Sequence, residues 1–308
     1  MDFPRGLCYN QANDQPERMH LNMKFFDLPL DVATSGKGDY TAHMTVYAPS
    51  NGLDLEINRS RPAVVIFPGG GYAITYDGEA EPIALKFTAE GAVAVVVWYS
   101  VTNHCPGHPP RFPQALAEGL TAVRWVREHA SELGVDPHNI ATLGFSAGGH
   151  LCACTGTLWN HACLAPYLDA DRSAYRPDKL ILCYPVITAL GQPHHQGSFD
   201  NLLGTDGAQT PETLELVSLE RQVADDTPPS FIWHTFSDPG VPVNGSLKFA
   251  EALFEHHVPC EMHLYPRGDH GLCLANHTTS NTFPIGSPFY AAEWIDHAVH
   301  FLFDETIR

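Results

Sequence analysis

Basic residues are scarce. Only 17 Lys and Arg stand against 35 Asp and Glu, giving a formal net charge of −18 over 308 residues. A surface of that sign repels phosphate backbones and anionic lipid heads, which argues against nucleic-acid and membrane partners and favours a neutral substrate over a polyanionic polymer. Long apolar runs are also missing: no stretch of about 18 apolar residues occurs, so no transmembrane helix is expected. The opening MDFPRGLCYNQANDQPERMH has neither a basic n-region nor an apolar h-region. No secretory signal is therefore read, and the expected compartment is the cytoplasm. The eight cysteines are scattered without a C-x-x-C, and a chain this long needs no disulfide staples; they read as reduced thiols. Repeats and low-complexity tracts are absent.

What is present suits a globular core, since 44% of residues are hydrophobic and 17% charged. Short runs rich in β-branched residues end in turn formers: HMTVYAP (43–49), PAVVIFPGGG (62–71), AVAVVVWYS (92–100), NIATLGFS (139–146), KLILCYP (179–185), SFIWHT (230–235) and CEMHLYP (260–266). The middle ones are continuously apolar, as strands covered on both faces are. Helical patterns lie between them at 81–91, 112–134, 243–257 and 287–303. Strands alternating with such helices predict one α/β domain over residues 1–308 with a doubly wound, mostly parallel sheet. Residues 1–38 read as an irregular lead-in. Residues 155–178 and 186–228 are polar and rich in Pro and Gly, and read as lid-like insertions near the active-site edge.

GFSAGGH (144–150) has the pattern G-x-S-x-G where an apolar strand meets small residues. A lone match is equally a serine in a glycine-rich loop. A nucleophilic serine needs a base, a group to orient that base, and donors for the oxyanion. Gly144 and Gly148 would allow a tight strand-to-helix turn with the Ser146 hydroxyl at its tip and the Ala147 N–H free. FPGGGY (67–72) follows an earlier strand, and Gly70 and Gly71 are the expected further oxyanion donors; phosphate cradling is disfavoured because no GK[ST] follows. Asp238 ends the strand 230–235 in a turn, whereas Asp225 and Asp226 precede that strand at its wrong end. His270 follows the next strand, and its neighbour Asp269 points elsewhere in an extended loop. The order Ser146, Asp238, His270, each past the C-terminal end of a strand, is the one an α/β-hydrolase uses.

Other features carry less. His104, Cys105 and His108 lack a second ligand pair, so no metal is expected. The Pro193–His195 stretch lies in the second insertion, where solvated histidines are common but substrate contact is conceivable. Cys152 and Cys154 do not share a helix face. Tyr72, after the glycines, is a candidate for lining the acyl or sugar pocket. YDGEAEP (76–82) reads as a helix entry whose acids favour the helix dipole.

FPGGGY, GFSAGGH, HTFSDPGVPVNGSLKFA and HLYPRGDHGLCLANH resemble the signatures of bacterial esterase/lipase proteins of the α/β-hydrolase superfamily, in the BD-FAE-like or acetyl (sugar) esterase group. The resemblance runs from about residue 60 to 303 and leaves the stretch before residue 40 uncovered. It implies Ser146 as nucleophile, Asp238 as acid, His270 as base, and Gly70, Gly71 and Ala147 as oxyanion donors. Pro68 stands where lipase-like relatives carry His, as it does in the BD-FAE-like branch. The resemblance also implies a short acyl group.

The expected function is cofactor-free hydrolysis of short-chain acyl esters, acetyl first, on a carbohydrate or similar small alcohol. A serine aminopeptidase on the same scaffold is the first alternative, though the acidic groups that would hold a substrate amine are not evident. A ligand-binding homologue without catalysis is the second, and it would be expected to lack a member of the triad. The expected partner is a small-molecule ester, and the sequence is compatible with a homodimer.

Overall fold

The computed structural model describes residues 23–30, 32, 40–51, 59–280, 282–283 and 289–307. Its strands are β1 Lys24–Pro29, β2 His43–Ala48, β3 Arg61–Phe67, β4 Val93–Trp98, β5 Val135–Phe145, β6 Lys179–Cys183, β7 Ser230–Thr235 and β8 Cys260–Tyr265. They form one sheet in the order β1-β2-β4-β3-β5-β6-β7-β8. From β4 across to β8 every neighbouring pair is parallel, while β1/β2 and β2/β4 are antiparallel. The helices are α1 Glu81–Ala89, α2 Gln114–Glu128, α3 Ala130–Leu133, α4 Ser146–Thr157, α5 Gln196–Leu203, α6 Pro211–Leu216, α7 Asn244–Glu255 and α8 Trp294–Phe303.

The continuous apolar runs have a direct cause. Along β3 and β4, Ala63, Val65, Phe67, Val93, Val95 and Val97 face one core layer. The residues between them, Val64, Ile66, Ala94 and Val96, face the other. A strand covered on both faces needs an apolar side chain at each position. Leu120 of α2, Leu151 of α4 and Phe249 of α7 close the first layer. Phe87 of α1 and Trp294 and Phe301 of α8 close the second. Full burial of each such side chain contributes about 2 kcal/mol.

The sheet order positions the site. From β3 the chain crosses through α1 to β4 on one side, and β5 then pairs on the other side of β3. The loops leaving the C-terminal ends of β3 and β5 therefore meet where the winding direction reverses, the place at which open α/β sheets form their crevice. Register puts the end of β3 level with the serine turn, Phe67 opposite Gly144.

Three local readings are corrected. Residues 1–38 were expected to be irregular throughout, yet Lys24–Pro29 pairs with β2, Lys24 opposite Ala48 and Pro29 opposite His43. An edge strand has one neighbour and no buried face to fill on both sides, so it lacks the apolar run that marks an inner strand. The rest of that lead-in, apart from Met23, Leu30 and Val32, lies outside the described residues. The insertion read as beginning at residue 155 begins after Thr157, where α4 ends, and the insertion 186–228 contains α5 and α6. The helix read to Gly134 breaks at His129. Gly134 caps α3 in the left-handed region at φ 68°, and the next strand starts at once, at Val135.

Candidate active site

Ser146 is the first residue of α4 and the last turn out of β5. Its backbone is left-handed, φ 53°, a conformation that costs an L-residue with a Cβ about 1 kcal/mol or more. The crossing is tight enough to exclude side chains: a Cβ on Gly148 would lie 2.1 Å from the Phe67 carbonyl oxygen. The turn from β5 is thus pressed directly against the end of β3. Ser146 is 7% exposed, and its main-chain carbonyl accepts from the Val186 N–H at 3.0 Å.

The three expected side chains converge. Ser146 Oγ and His270 Nε2 are 2.7 Å apart, and His270 Nδ1 is 2.7 Å from Asp238 Oδ2. Asp238 is held on all sides. Its Oδ1 accepts from the Gly240 and Val241 N–H groups at 2.8 and 2.9 Å, and His234 Nε2 lies 3.3 Å from Oδ2. His234 Nε2 also sits 3.0 Å from the Val241 carbonyl, so it carries a proton shared between two acceptors, and Nδ1 accepts from the Ser246 hydroxyl at 2.8 Å. Burial pushes the Asp238 carboxyl up. The hydrogen bonds from His234 and His270, the His270 charge and the Val241 N–H outweigh it and hold the group well below the usual carboxylate range. Asp238 is therefore an anion, and the imidazole beside it is kept with Nδ1 protonated and Nε2 open to the serine proton.

The glycine loop supplies amides. Gly70 and Gly71 adopt φ 124° and 65°, and the Gly70 carbonyl turns inward to accept from the Ala73 and Ile74 N–H groups at 3.0 and 3.2 Å. Among the described residues the Gly70 and Gly71 N–H groups have no acceptor within the chain. Ala147 stands in the first turn of α4, where an N–H has no partner inside its own helix. Gly69 ties this loop to the serine turn, since a Cβ there would meet the Phe145 carbonyl at 2.7 Å and Ser146 Cβ at 3.0 Å. Tyr99 fixes the loop from beneath, its hydroxyl donating to the Pro68 carbonyl at 2.6 Å.

Two buried residues that the sequence did not single out support this loop. Glu79, read only as an acid favouring the dipole of a helix entry, is 2% exposed. Its Oε2 accepts from the Gly69 N–H and its Oε1 from the Tyr184 hydroxyl, both at 2.7 Å. Tyr184 accepts in turn from the Cys273 N–H at 3.0 Å, and its ring packs edge-on to His270 with centroids 5.1 Å apart. Burial raises the Glu79 carboxyl, opposed by the bonds from Tyr184 and Gly69 and by the His270 charge. The sequence signal for Glu79 was its position just past the glycine loop; its partner Tyr184 is too distant in the chain for any local pattern to pair them. His234 could have been flagged as a polar residue inside the apolar run SFIWHT, four places before Asp238.

Tyr72 is buried, with φ 59°. Its hydroxyl bonds His150 Nδ1 at 2.9 Å, and His150 Nε2 bonds the Val217 carbonyl at 2.9 Å. Burial depresses His150 to about 4, so its ring is neutral: Nε2–H donates to Val217 and Nδ1 accepts from Tyr72. The ring of Tyr72 also borders a narrow cleft beside Ser100, Asn201 and Leu202. Asp225 pairs with His256 at 2.8 Å on the surface. Among the described residues one group has ligand atoms close enough to share a metal ion: Glu261 and His263 of β8 with His297 of α8, all within 4.8 Å of one another. The two imidazoles stack at 4.3 Å with planes 20° apart, so their in-plane lone pairs run side by side instead of converging, and His263 Nε2 is bonded to Glu261 at 2.7 Å.

Sheet order, reversal point and serine turn are together those of an α/β-hydrolase, a fold the chain shares with solved esterases. Residues 44–253 match the family described as BD-FAE, and the chain belongs to that family. It is 40% identical over 218 residues to endo-1,4-beta-xylanase B of Butyrivibrio fibrisolvens, covering 70% of this chain and 33% of that protein. It is 30% identical over 245 residues to an acetylxylan esterase of Xylanibacter ruminicola, covering 79% and 45%. The chain thus spans about a third to just under a half of the length of these curated relatives. Among solved structures it resembles an acetyl ester-xyloside bifunctional hydrolase from Caldicellulosiruptor lactoaceticus, with TM-score 0.76, 33% identity, and 92% and 97% of the two chains covered. The carboxylesterase Cest-2923 from Lactobacillus plantarum gives TM-score 0.76 at 28% identity, covering 92% and 98%. Among the described residues no helix is long and apolar enough to cross a membrane.

Proposed function

We propose that the chain hydrolyses carboxylic esters through an acyl-serine intermediate, acting on short acyl groups, acetyl first, carried by a neutral carbohydrate or similar small alcohol. His270 Nε2 takes the Ser146 proton as Oγ attacks the ester carbonyl. Asp238 holds the Nδ1–H tautomer and offsets the charge of the imidazolium. The Gly70, Gly71 and Ala147 N–H groups donate to the oxyanion. His270 then passes its proton to the departing alcohol oxygen, and a water activated by the same nitrogen releases the acid. The observation that carries this reading is the unbroken relay, 2.7 Å from Oγ to Nε2 and 2.7 Å from Nδ1 to Oδ2, beside amides with no acceptor among the described residues.

Relatives named for acetylxylan and acetyl ester-xyloside hydrolysis support the acyl group and the sugar. The net negative charge agrees with a neutral substrate. We assign the ring of Tyr72 to the wall beside the glycine loop, its hydroxyl being taken by His150. The scattered spacing of the eight cysteines supports a reducing cytoplasm as the working compartment. The test is turnover of p-nitrophenyl acetate and of an acetylated xyloside, with Ser146→Ala and phosphonate labelling as controls. Wild-type protein that neither turns over an ester nor takes the label at Ser146 refutes the assignment, and cleavage of an aminoacyl nitroanilide instead would favour a peptidase.

A further inference from the structure

The insertion after β6 brings one histidine over the glycine loop. A Cβ built on Gly71 would have the His195 ring and the Ser198 hydroxyl as its nearest neighbours, at 4.0 and 3.9 Å. The segment is anchored there: Asn201 Nδ2 of α5 donates to the Gly71 carbonyl at 2.9 Å, and Asn244 Nδ2 donates to the Pro193 carbonyl at 3.1 Å. His195 Nδ1 bonds Ser198 Oγ at 2.8 Å. Ser198 is fully buried, and Nδ1 is the partner its hydroxyl has among the described residues. A buried hydroxyl proton needs an acceptor, so Oγ–H donates to Nδ1 and the other ring nitrogen carries the hydrogen. That Nε2–H has no partner among the described residues, and the ring is half-buried. Burial, and then the charges of His270 and His194, disfavour the charged ring, with Asp238 acting in the opposite sense.

We infer that His195 binds the alcohol half of the substrate, its Nε2–H donating to a hydroxyl or ring oxygen of a polyhydroxylic leaving group. This rests on the esterase reading above. The departing oxygen must lie within reach of His270 Nε2, which returns its proton, while the carbonyl oxygen lies on the Gly70 and Gly71 amides. A ring packed over Gly71, beside an amide that takes the carbonyl oxygen, is placed to meet the alcohol half of a bound ester. A neutral donor suits an uncharged sugar hydroxyl, whereas a nitrophenol offers only weakly accepting nitro oxygens on the far side of its ring from the departing oxygen.

The experiment compares kcat/KM for an acetylated methyl xyloside with kcat/KM for p-nitrophenyl acetate and follows their ratio. His195→Ala is expected to lower the ratio about tenfold, the size of one neutral hydrogen bond. His195→Gln, whose amide reaches the position of Nε2–H, should restore most of it. Ser198→Ala, which releases the ring without removing it, should lower the ratio about threefold and serves if the alanine variant at 195 does not fold. A ratio unchanged in His195→Ala and Ser198→Ala refutes the assignment, as does a failure of glutamine to restore it. If the wild type hydrolyses neither ester and resists the phosphonate, the esterase reading fails first and this one falls with it. Normal phosphonate labelling with a flat ratio sinks His195 alone.

Discussion

Replacing Glu79 with alanine should damage catalysis from a position that touches no substrate. In the native protein this carboxylate accepts from the Gly69 N–H and the Tyr184 hydroxyl at 2.7 Å each, behind the loop that carries Gly70 and Gly71. Truncation leaves two buried donors without an acceptor, each costing about 1–3 kcal/mol. Part of this is returned, because the carboxylate itself is held in a place that disfavours its charge. A net loss of about 3 kcal/mol follows, which lowers Tm by about 6 °C for a chain of this size. Freed from its tether, the loop aims its amides less well. A single oxyanion donor is worth about 100- to 1000-fold in kcat, so partial misalignment should lower kcat about 10- to 100-fold with KM little changed. Glu79→Gln keeps one acceptor oxygen and should lose less on both counts. The pH dependence distinguishes the charge. The folded carboxyl is raised above its ordinary 4.5, so the native state holds the proton more tightly. That contribution is complete below the unfolded value and is lost as pH rises through the folded one, so the Tm of Glu79→Gln should gain on wild type as pH rises above the ordinary 4.5. Steady-state ester hydrolysis and thermal melts read all of this. A Glu79→Ala protein with wild-type kcat and Tm would refute the reasoning.

Other outcomes follow from the same geometry. Ser146→Ala should lose at least about 10⁴-fold in kcat and all phosphonate labelling, with its melting temperature close to wild type, because alanine keeps the Cβ and its strain and loses only the Oγ bond to His270. Asp238→Asn should lower kcat by about 10⁴-fold by offering His270 the wrong tautomer. The folded Asp238 carboxyl lies below its ordinary 3.8, so its stabilisation is present above that value and lost as pH falls further. The Tm gap between wild type and Asp238→Asn should therefore narrow in melts taken from about pH 6 down to about pH 3. Gly148→Ala puts a methyl 2.1 Å from the Phe67 carbonyl and 2.5 Å from that of Pro68. It should cost more than about 3 kcal/mol and be read as loss of soluble protein or a large fall in the urea midpoint.

The sheet was legible because its inner strands answer to one simple demand, apolar side chains on both faces, which AVVIF and AVAVVVW satisfy without interruption. Ser146, Asp238 and His270 were legible for a different reason: each sits just past a strand, and strand order in the chain fixes their order in the site. The hidden parts share a property. Glu79 with Tyr184, and His195 with Gly71, are pairs whose meaning exists only once distant segments touch, and the local setting of each suggested something ordinary. β1 was hidden because its single partner supplies its register; KFFDLP alone has neither strict alternation nor an apolar run. The helix α5 was hidden by its length, eight residues, and by the glycine at its second position.

In the proposed reaction the groups that meet the carbonyl oxygen belong to the main chain of two neighbouring loops, whereas His195 belongs to a segment added beyond β6. Any substitution of His195 removes the latter, whereas only proline removes the former, since every other residue type keeps its amide hydrogen. Drift in the added segment can therefore exchange one alcohol for another while the bond-breaking apparatus stays as it is, and diversification within such a lineage should be sought between Gly191 and Gly204 before it is sought around the serine.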